Sequence, residues 1–132
     1  MSYVFKVLKP EEYNPYTIDP HTHLTQSVQY GLWQKNLKKE VYYFAIYNKD
    51  NQVEITGQYI LYPLLYKKNY LYAPYGPIIH EHASKEALMY FLDRVKDFAA
   101  KHNCIFVRSE IPEKYNYTHS NSMISKSSYT QE

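Results

Sequence analysis

The 132-residue sequence has little of what marks a disulfide-stabilised, membrane-spanning or strongly basic protein. Its single cysteine, Cys104, excludes an internal disulfide framework and favours a reducing compartment. No apolar run approaches the length of about 18 residues that a membrane span needs, and Met1 does not open a secretory signal, so we expect a cytoplasmic protein. The net charge is only +2 and no dense Lys/Arg run occurs, which argues against a nucleic-acid footprint.

Tyrosine is what the chain has in excess, with 17 residues among 132. It suits half-buried strands and polar-rimmed clefts, because its apolar ring carries a hydroxyl that needs a partner. Otherwise the composition, 45% apolar and 21% charged, is that of one soluble domain or part of one. Two His-x-His pairs, at 21–23 and 80–82, lack a third ligand at suitable spacing, so we expect loop surface and no metal site. The lysine pairs at 38–39 and 67–68 are predicted to be solvated turns, although either could help to hold a phosphate.

The first third of the chain predicts a strand over 3–8, an irregular connector over 10–24 and then a helix. Ser27 is the expected N-cap of that helix. Tyr30, Trp33 and Leu37 share one face at helical spacing, so we expect this face, with Trp33, to pack on the core.

The middle of the chain predicts a three-stranded antiparallel meander over residues 41 to 75. Gly57 indicates a bulge or a close backbone approach in its second strand, and Pro63 indicates the end of that strand.

The last third predicts a helix from 85 to about 102, capped by Ser84, and a short buried strand over 104–107. A helix that crosses between two strands of one sheet favours a parallel pair with right-handed connection. After Pro112 the pattern weakens, and a short helix around 118–126 and a frayed tail both remain open.

A proline-rich corner follows the third strand of the meander, at Ala73-Pro74-Tyr75-Gly76-Pro77. Two prolines and a glycine fix the backbone there, and Pro77 has no N–H to donate. The corner is either a rigid strand exit or one wall of a substrate cleft.

Three motifs occur in order along these elements: Thr25-Gln26-Ser27 before an aromatic helix, Leu71-Tyr72-Ala73-Pro74-Tyr75-Gly76-Pro77, and Val107-Arg108-Ser109-Glu110-Ile111-Pro112. With them, residues 24 to 112 resemble the N-terminal part of the FemA/FemB/FemX aminoacyltransferases, which carry a Tyr-x-x-(Arg/Lys)-Gly-Pro corner and an Arg-x-(Asp/Glu)-Pro strand exit. Tyr75 departs from the family's basic residue, and Ile111 is an insertion before Pro112.

The resemblance implies an α/β fold, namely a partial GNAT-like fold with a mixed, mostly antiparallel sheet flanked by helices. Residues 1–112 would be the N-terminal part of the GNAT-like domain and 113–132 the start of its remainder. Since family members are longer and carry a second GNAT-like domain, we expect the chain to be an N-terminal fragment, whether a truncation or a natural short product.

The resemblance also implies a function: tRNA-dependent transfer of an amino acid to the stem peptide of a peptidoglycan precursor, lipid II or UDP-muramoyl-pentapeptide. No cofactor is implied, aminoacyl-tRNA being a co-substrate bound by the missing C-terminal part, and no catalytic residue can be assigned. Such work would take place at the inner face of the plasma membrane. The implied substrate-binding residues are Lys35, Gln34, Tyr72, Tyr75, Gly76, Arg108 and Glu110.

Two other functions stay open. One is a non-enzymatic binding or assembly module that self-associates through a sheet edge exposed by the short chain. The other is a small acetyl-CoA-dependent acetyltransferase, which the corner disfavours because it offers one glycine, Gly76, and a proline without an N–H for a pyrophosphate.

Overall fold

The computed structural model describes residues 2–19 and 22–111, and the backbone of 121–123. The helices and strands are β1 (Val4–Leu8), α1 (Pro10–Tyr13), α2 (Val28–Asn36), β2 (Glu40–Tyr47), β3 (Val53–Pro63), β4 (Asn69–Ala73), β5 (Ile78–Ile79), α3 (Lys85–Ala100), β6 (Cys104–Ser109) and β7 (Asn121–Met123). Within the described residues, no helix has the length and apolarity to cross a bilayer.

All these strands belong to one mixed sheet in the order β1-β2-β3-β4-β6-β7, and β5 pairs with the first part of β3, at Ile55 and Thr56. The β4–β6 pair is parallel and is connected by α3, whereas the other pairs are antiparallel. The predicted meander, the strand end at Pro63 and the parallel pair are confirmed. The α/β class with a mostly antiparallel sheet is also confirmed, and it is compatible with the first part of a GNAT-like domain.

α3 covers one face of the sheet and forms the main apolar core. Ser84 caps it, since the Ser84 hydroxyl accepts a hydrogen bond from the N–H of Ala87 at 3.0 Å. The apolar face of α3 packs on the sheet, and Phe91, Val95 and Ala99 on that face are fully buried. They pack against sheet residues of the same cluster, which include Phe44, Ile46, Ile55, Tyr59 and Leu71.

α2 lies on the other face, and here the expected buried face is wrong. Gly31 and Gln34 are buried, whereas Trp33 is 56% exposed and Leu37 is also exposed. The sheet beneath α2 presents polar groups, and the missing side chain of Gly31 leaves the space that the Gln58 carboxamide occupies. The helix therefore approaches the sheet by its smallest and most polar side, and Trp33 is not a core residue.

The connector over 10–24 is more regular than predicted. It holds α1 and two single 3₁₀ turns, Asn14–Thr17 and Leu24–Gln26, among the residues described. Pro10 occupies the first turn of α1, where its fixed φ suits a helix start. The Glu12 carboxylate accepts the N–H of Lys9 at 2.7 Å, which completes the cap.

Two further expectations are corrected or sharpened. Residues 121–123 form β7, antiparallel to β6, so a helix around 118–126 is wrong at those three positions. The remainder of the segment 113–132 lies outside the described residues.

Gly57 marks no bulge, as it pairs in register with Phe44, and it marks instead a close approach. A Cβ at Gly57 would meet the Cβ of Pro77 at 3.1 Å.

Candidate functional site

The candidate site lies where the parallel strands β4 and β6 both end. Their last residues, Ala73 and Ser109, are partners in register, and the proline corner and Glu110 follow directly. The carboxyl ends of parallel strands are the usual location of ligand sites in open α/β sheets. The fold thus brings two of the three sequence motifs to the same edge.

Two hydrogen bonds join the corner to the end of β6. The N–H of Tyr75 donates to the Glu110 carboxylate at 2.8 Å, and the N–H of Glu110 donates to the carbonyl of Gly76 at 2.7 Å. Glu110 therefore has a structural role as well as an exposed charge. The corner and the strand exit form one unit.

Arg108 adds a cation beside this unit. Its guanidinium lies 3.8 Å from the Glu110 carboxylate and 5.1 Å from the centre of the Tyr72 ring. The side chains of Arg108 and Glu110 are 51% and 33% exposed, so their ion pair is a weak, solvated contact. The guanidinium can turn to a ligand phosphate or carboxylate, which it would bind with two parallel N–H donors.

Tyr72 supplies the floor between these charges. Partial burial raises the pKa of its hydroxyl, a hydrogen bond to the Glu110 carboxylate and the charge of that carboxylate raise it further, and the Arg108 charge opposes them. The hydroxyl is therefore protonated at neutral pH and can donate a hydrogen bond. Stacked rings continue this floor along the sheet, with Tyr70 4.7 Å from Phe106 and 5.1 Å from Tyr62.

The segment before α2 clamps the corner from the other side. The fully buried carboxamide of Gln26 donates to the carbonyls of Pro74 at 3.1 Å and Gln58 at 3.2 Å. Its oxygen accepts the N–H of Gln58 at 2.9 Å, and the Tyr13 hydroxyl donates to the Gln26 backbone carbonyl at 2.7 Å. The Thr25 hydroxyl also donates to the Pro74 carbonyl, at 2.8 Å. The first motif is therefore the clamp that holds the second in place.

Gly76 is required at the corner for space. A Cβ on Gly76 would clash with the Gln26 carboxamide, and the φ of Gly76 is not positive. The clamp can close only because this residue has no side chain.

Tyr75 points outward from the corner and is 63% exposed. Its ring stacks on that of His23, with the centroids 3.8 Å apart and the planes 8° from parallel. The backbone of Tyr75 has a positive φ of 54°, which side chains rarely adopt. An aromatic pair thus stands at the position where the resembled family carries a basic side chain.

Lys35 and Gln34 lie apart from this group. The Lys35 ammonium is 5.9 Å from the centre of the Tyr43 ring, over β2, and Gln34 is buried under the helix. Tyr30, about 140° from Lys35 around the helix axis at 3.6 residues per turn, interacts instead with Tyr62 and Tyr72. Five of the seven predicted residues lie together at the strand ends, whereas Lys35 and Gln34 do not, and a role in substrate binding stays a prediction for all seven.

Four contributors were not predicted from the sequence: Tyr13, His23, Gln26 and Gln58. The motif Thr25-Gln26-Ser27 was noted, but nothing in a single sequence tells a buried glutamine from an exposed one. A group of three or more His, Cys, Asp or Glu side chains that could hold a metal does not occur among the described residues.

Comparison with known proteins agrees with the geometry. The model of the FemAB family matches residues 8–132. In a search of curated proteins, none matched the chain significantly. The match covers the clamp, the corner and the strand exit together.

Proposed function

The chain belongs to the FemAB family, and from this premise we propose that it serves as a tRNA-dependent aminoacyltransferase of peptidoglycan interpeptide-bridge synthesis. It would add an amino acid to the stem peptide of a muramoyl-peptide or lipid-linked precursor, with aminoacyl-tRNA as co-substrate and no cofactor. It would work in the cytoplasm, peripherally at the inner face of the plasma membrane. The observation that supports this most directly is the clamped corner beside Arg108 and Glu110.

The described residues would hold the acceptor, that is, the precursor. Its phosphates match the half-exposed guanidinium of Arg108, and its sugar hydroxyls match the Glu110 carboxylate and the Tyr72 hydroxyl. Attack by an amine on an aminoacyl ester requires that the two reactants be positioned and that the oxyanion be stabilised, and it does not require a protein nucleophile. A rigid corner would help to position the precursor, because its hydrogen bonds are made before any ligand binds.

Isothermal titration with UDP-muramoyl-pentapeptide tests the proposal. Arg108→Ala should weaken binding by about 10- to 100-fold, the range for a lost hydrogen bond to a charged group. Glu110→Gln keeps an oxygen for the Tyr75 N–H but loses the charge, so it should weaken binding while the melting temperature stays near that of the wild type. Lys35→Ala measures the separate contribution of Lys35.

Lys49→Gln, on the turn between β2 and β3, is the matched control because it removes an exposed charge from a turn that contributes no residue to the corner or to the end of β6. Wild-type affinity in both Arg108→Ala and Glu110→Gln would contradict the assignment of the site. If only Lys35→Ala binds with wild-type affinity, Lys35 alone is removed from the assigned site.

A second candidate is a binding or assembly module. β1 is the end strand in the described sheet order, and Val4 and Val7 on it are exposed. Such an edge can pair with another chain. Gel filtration with light scattering separates the two functions: a concentration-dependent dimer abolished by Val7→Lys would favour the module, and a stable monomer that binds precursor would exclude it.

An acetyl-CoA enzyme is disfavoured by the corner. The N–H of Gly76 donates to the carbonyl of Ala73 at 3.1 Å, and Pro77 has none, so neither is free for a pyrophosphate. A thermal-shift assay with coenzyme A should give no stabilisation, and a clear increase in melting temperature would reopen that function.

A further inference from the structure

We propose that the end of the sheet opposite the candidate site docks on a bilayer surface that carries anionic lipids, with Leu65 and Tyr66 entering the headgroup region. We call this end the basic tip, and its residues are 37–39, 64–68 and 101–103. The inference rests on the proposed function only for why the protein would meet a membrane. Where it would do so follows from the contacts, exposure and charge of these residues.

Three turns meet at the basic tip. The turn after β3 closes on itself, since the N–H of Leu64 donates to the carbonyl of Lys68 at 2.6 Å. The turn after α3 is joined to it, because the N–H of Asn69 donates to the carbonyl of Asn103 at 2.9 Å. The turn after α2 reaches the same end, where the Lys39 ammonium lies 5.3 Å from the centre of the Tyr62 ring.

Large apolar side chains project from this end into solvent. Leu65 is 79% exposed and Tyr66 is 91% exposed, and Leu37 and Leu64 are exposed beside them. Joint exposure of large apolar side chains is unusual for a surface turn, and exposed apolar clusters mark interaction sites. A leucine and a tyrosine at a protrusion suit the headgroup region of a bilayer, where apolar bodies and polar tips are both accommodated.

The backbone holds the protrusion in an uncommon conformation. Tyr66 and Lys67 both have a φ of 62°, in the left-handed region, and neither is glycine. Such conformations cost free energy in the free protein and cluster at ligand-contacting positions. The turn therefore holds Tyr66 outward in a backbone conformation that costs free energy, and no contact within the described residues explains this cost.

The charge of the basic tip identifies the kind of bilayer. Lysines 38, 39, 67, 68 and 101 lie on the three turns that form the tip, and Glu40, next to the tip, is the nearest carboxylate in sequence. Glu40 is engaged, since it accepts a hydrogen bond from the Tyr42 hydroxyl. Clustered lysines around exposed apolar side chains match an anionic lipid surface, to which each lysine contributes separately.

The basic tip and the candidate site are at opposite ends of β4. The tip adjoins Asn69 and the site adjoins Ala73, which are about 13 Å apart at about 3.3 Å per residue. Changes at the tip should therefore leave precursor binding unaffected. This separation lets one experiment fail without the other.

Sedimentation with vesicles tests the inference, using the whole chain without precursor. The protein should bind phosphatidylcholine vesicles in which about one lipid in three is phosphatidylglycerol, whose anionic headgroups give a negative surface potential. It should not bind vesicles of phosphatidylcholine alone. Lys67→Gln/Lys68→Gln should weaken partitioning about 30-fold, from about fivefold for each lysine. Leu65→Ser/Tyr66→Asn should also weaken it, and Lys49→Gln should leave it unchanged.

A fluorescent variant reports the depth of insertion. Trp33 is the only tryptophan, so Trp33→Phe with Tyr66→Trp places a single reporter at the tip. Its emission should shift to the blue on anionic vesicles and be quenched by brominated lipid. Equal binding to both vesicle types, wild-type partitioning in the tip variants, or binding to a soluble RNA without binding to vesicles would each overturn the inference. The UDP-muramoyl-pentapeptide titration of the tip variants should match the wild type, which keeps this test separate from that of the proposed function.

Discussion

At the scale of single residues, the corner depends on the side-chain amide of Gln26. One carboxamide joins three segments of chain, because it can donate twice and accept at the same time. Leucine has a similar volume but can do neither, so its presence would leave the buried N–H and carbonyl of Gln58 without partners. Leaving such groups unpaired costs more than the bond itself contributes.

Gln26→Leu should therefore lower the free energy of unfolding by about 2 to 4 kcal/mol, the sum expected for two groups left unpaired. Urea denaturation measures it. Gln29→Leu, the same change at an exposed position of α2, is the control and should have an effect below about 0.5 kcal/mol. Equal effects at the two positions would mean that the clamp does not stabilise the fold.

Gly76→Ala tests the space at the corner. The added methyl would overlap the Gln26 carboxamide, and relief of this overlap should cost about 1 to 3 kcal/mol. Gly57→Ala is the graded comparison, since its nearest neighbours would be at 3.0 and 3.1 Å and can yield slightly. Thermal denaturation of both should rank Gly76→Ala as the more destabilised, and the reverse order would contradict the close approach.

His80 should make stability depend on pH. Burial lowers the pKa of its imidazole below that of the unfolded chain, an effect that the Asp19 charge opposes. The imidazole also contacts the Thr56 hydroxyl at 2.9 Å and the Tyr16 ring. Because the unfolded state binds the proton more tightly, this contribution to stability is complete above the unfolded pKa of about 6.5 and is lost as pH falls.

The measurement is urea denaturation at pH 7.5 and 5.5 in wild type and His80→Gln, since glutamine can keep the bond to Thr56. The loss of stability on acidification should be smaller in the variant. Identical losses in the two proteins would show that His80 does not take part.

At the scale of elements, α2 and α3 show what periodicity can predict. In α3 the apolar stripe and the packed face coincide, because the sheet beneath it is apolar. In α2 they do not, since the sheet beneath it carries Gln58 and the Tyr43 hydroxyl, and Gly31 allows the closest approach. A sequence pattern identifies the apolar face of a helix, but the chemistry of the opposing surface decides which face packs.

Alanine substitution in the two helices should reflect this difference. Phe91→Ala should destabilise the protein by about 3 to 5 kcal/mol, as expected for a buried phenylalanine. Trp33→Ala should cost less than about 1 kcal/mol, because more than half of its surface stays in water. A larger loss for Trp33→Ala in urea denaturation would contradict the orientation of α2.

At the scale of the whole molecule, the meander and the parallel pair followed from local signals, whereas the places of β1, β5 and β7 in the sheet did not. The strand pattern over 41 to 75, the strand end at Pro63 and the helix after Ser84 were enough to predict a meander joined to a parallel pair. The gathering of Arg108, Glu110 and the corner follows from that topology. The clamp by Gln26 and the stack of His23 on Tyr75 could not be predicted. They join segments 48 and 52 residues apart in sequence, and local sequence patterns do not indicate contacts over such separations.

A peptidoglycan precursor should bind at the corner between β4 and β6. Amide chemical shifts of the labelled protein, recorded during a titration with UDP-muramoyl-pentapeptide, test it most directly. The largest shifts should fall on Tyr75, Gly76 and Glu110, with smaller shifts at Gln26 and Gln58 through the clamp. Shifts confined to the β2–β3 turn at 48–51, or no shifts at saturating precursor, would contradict it.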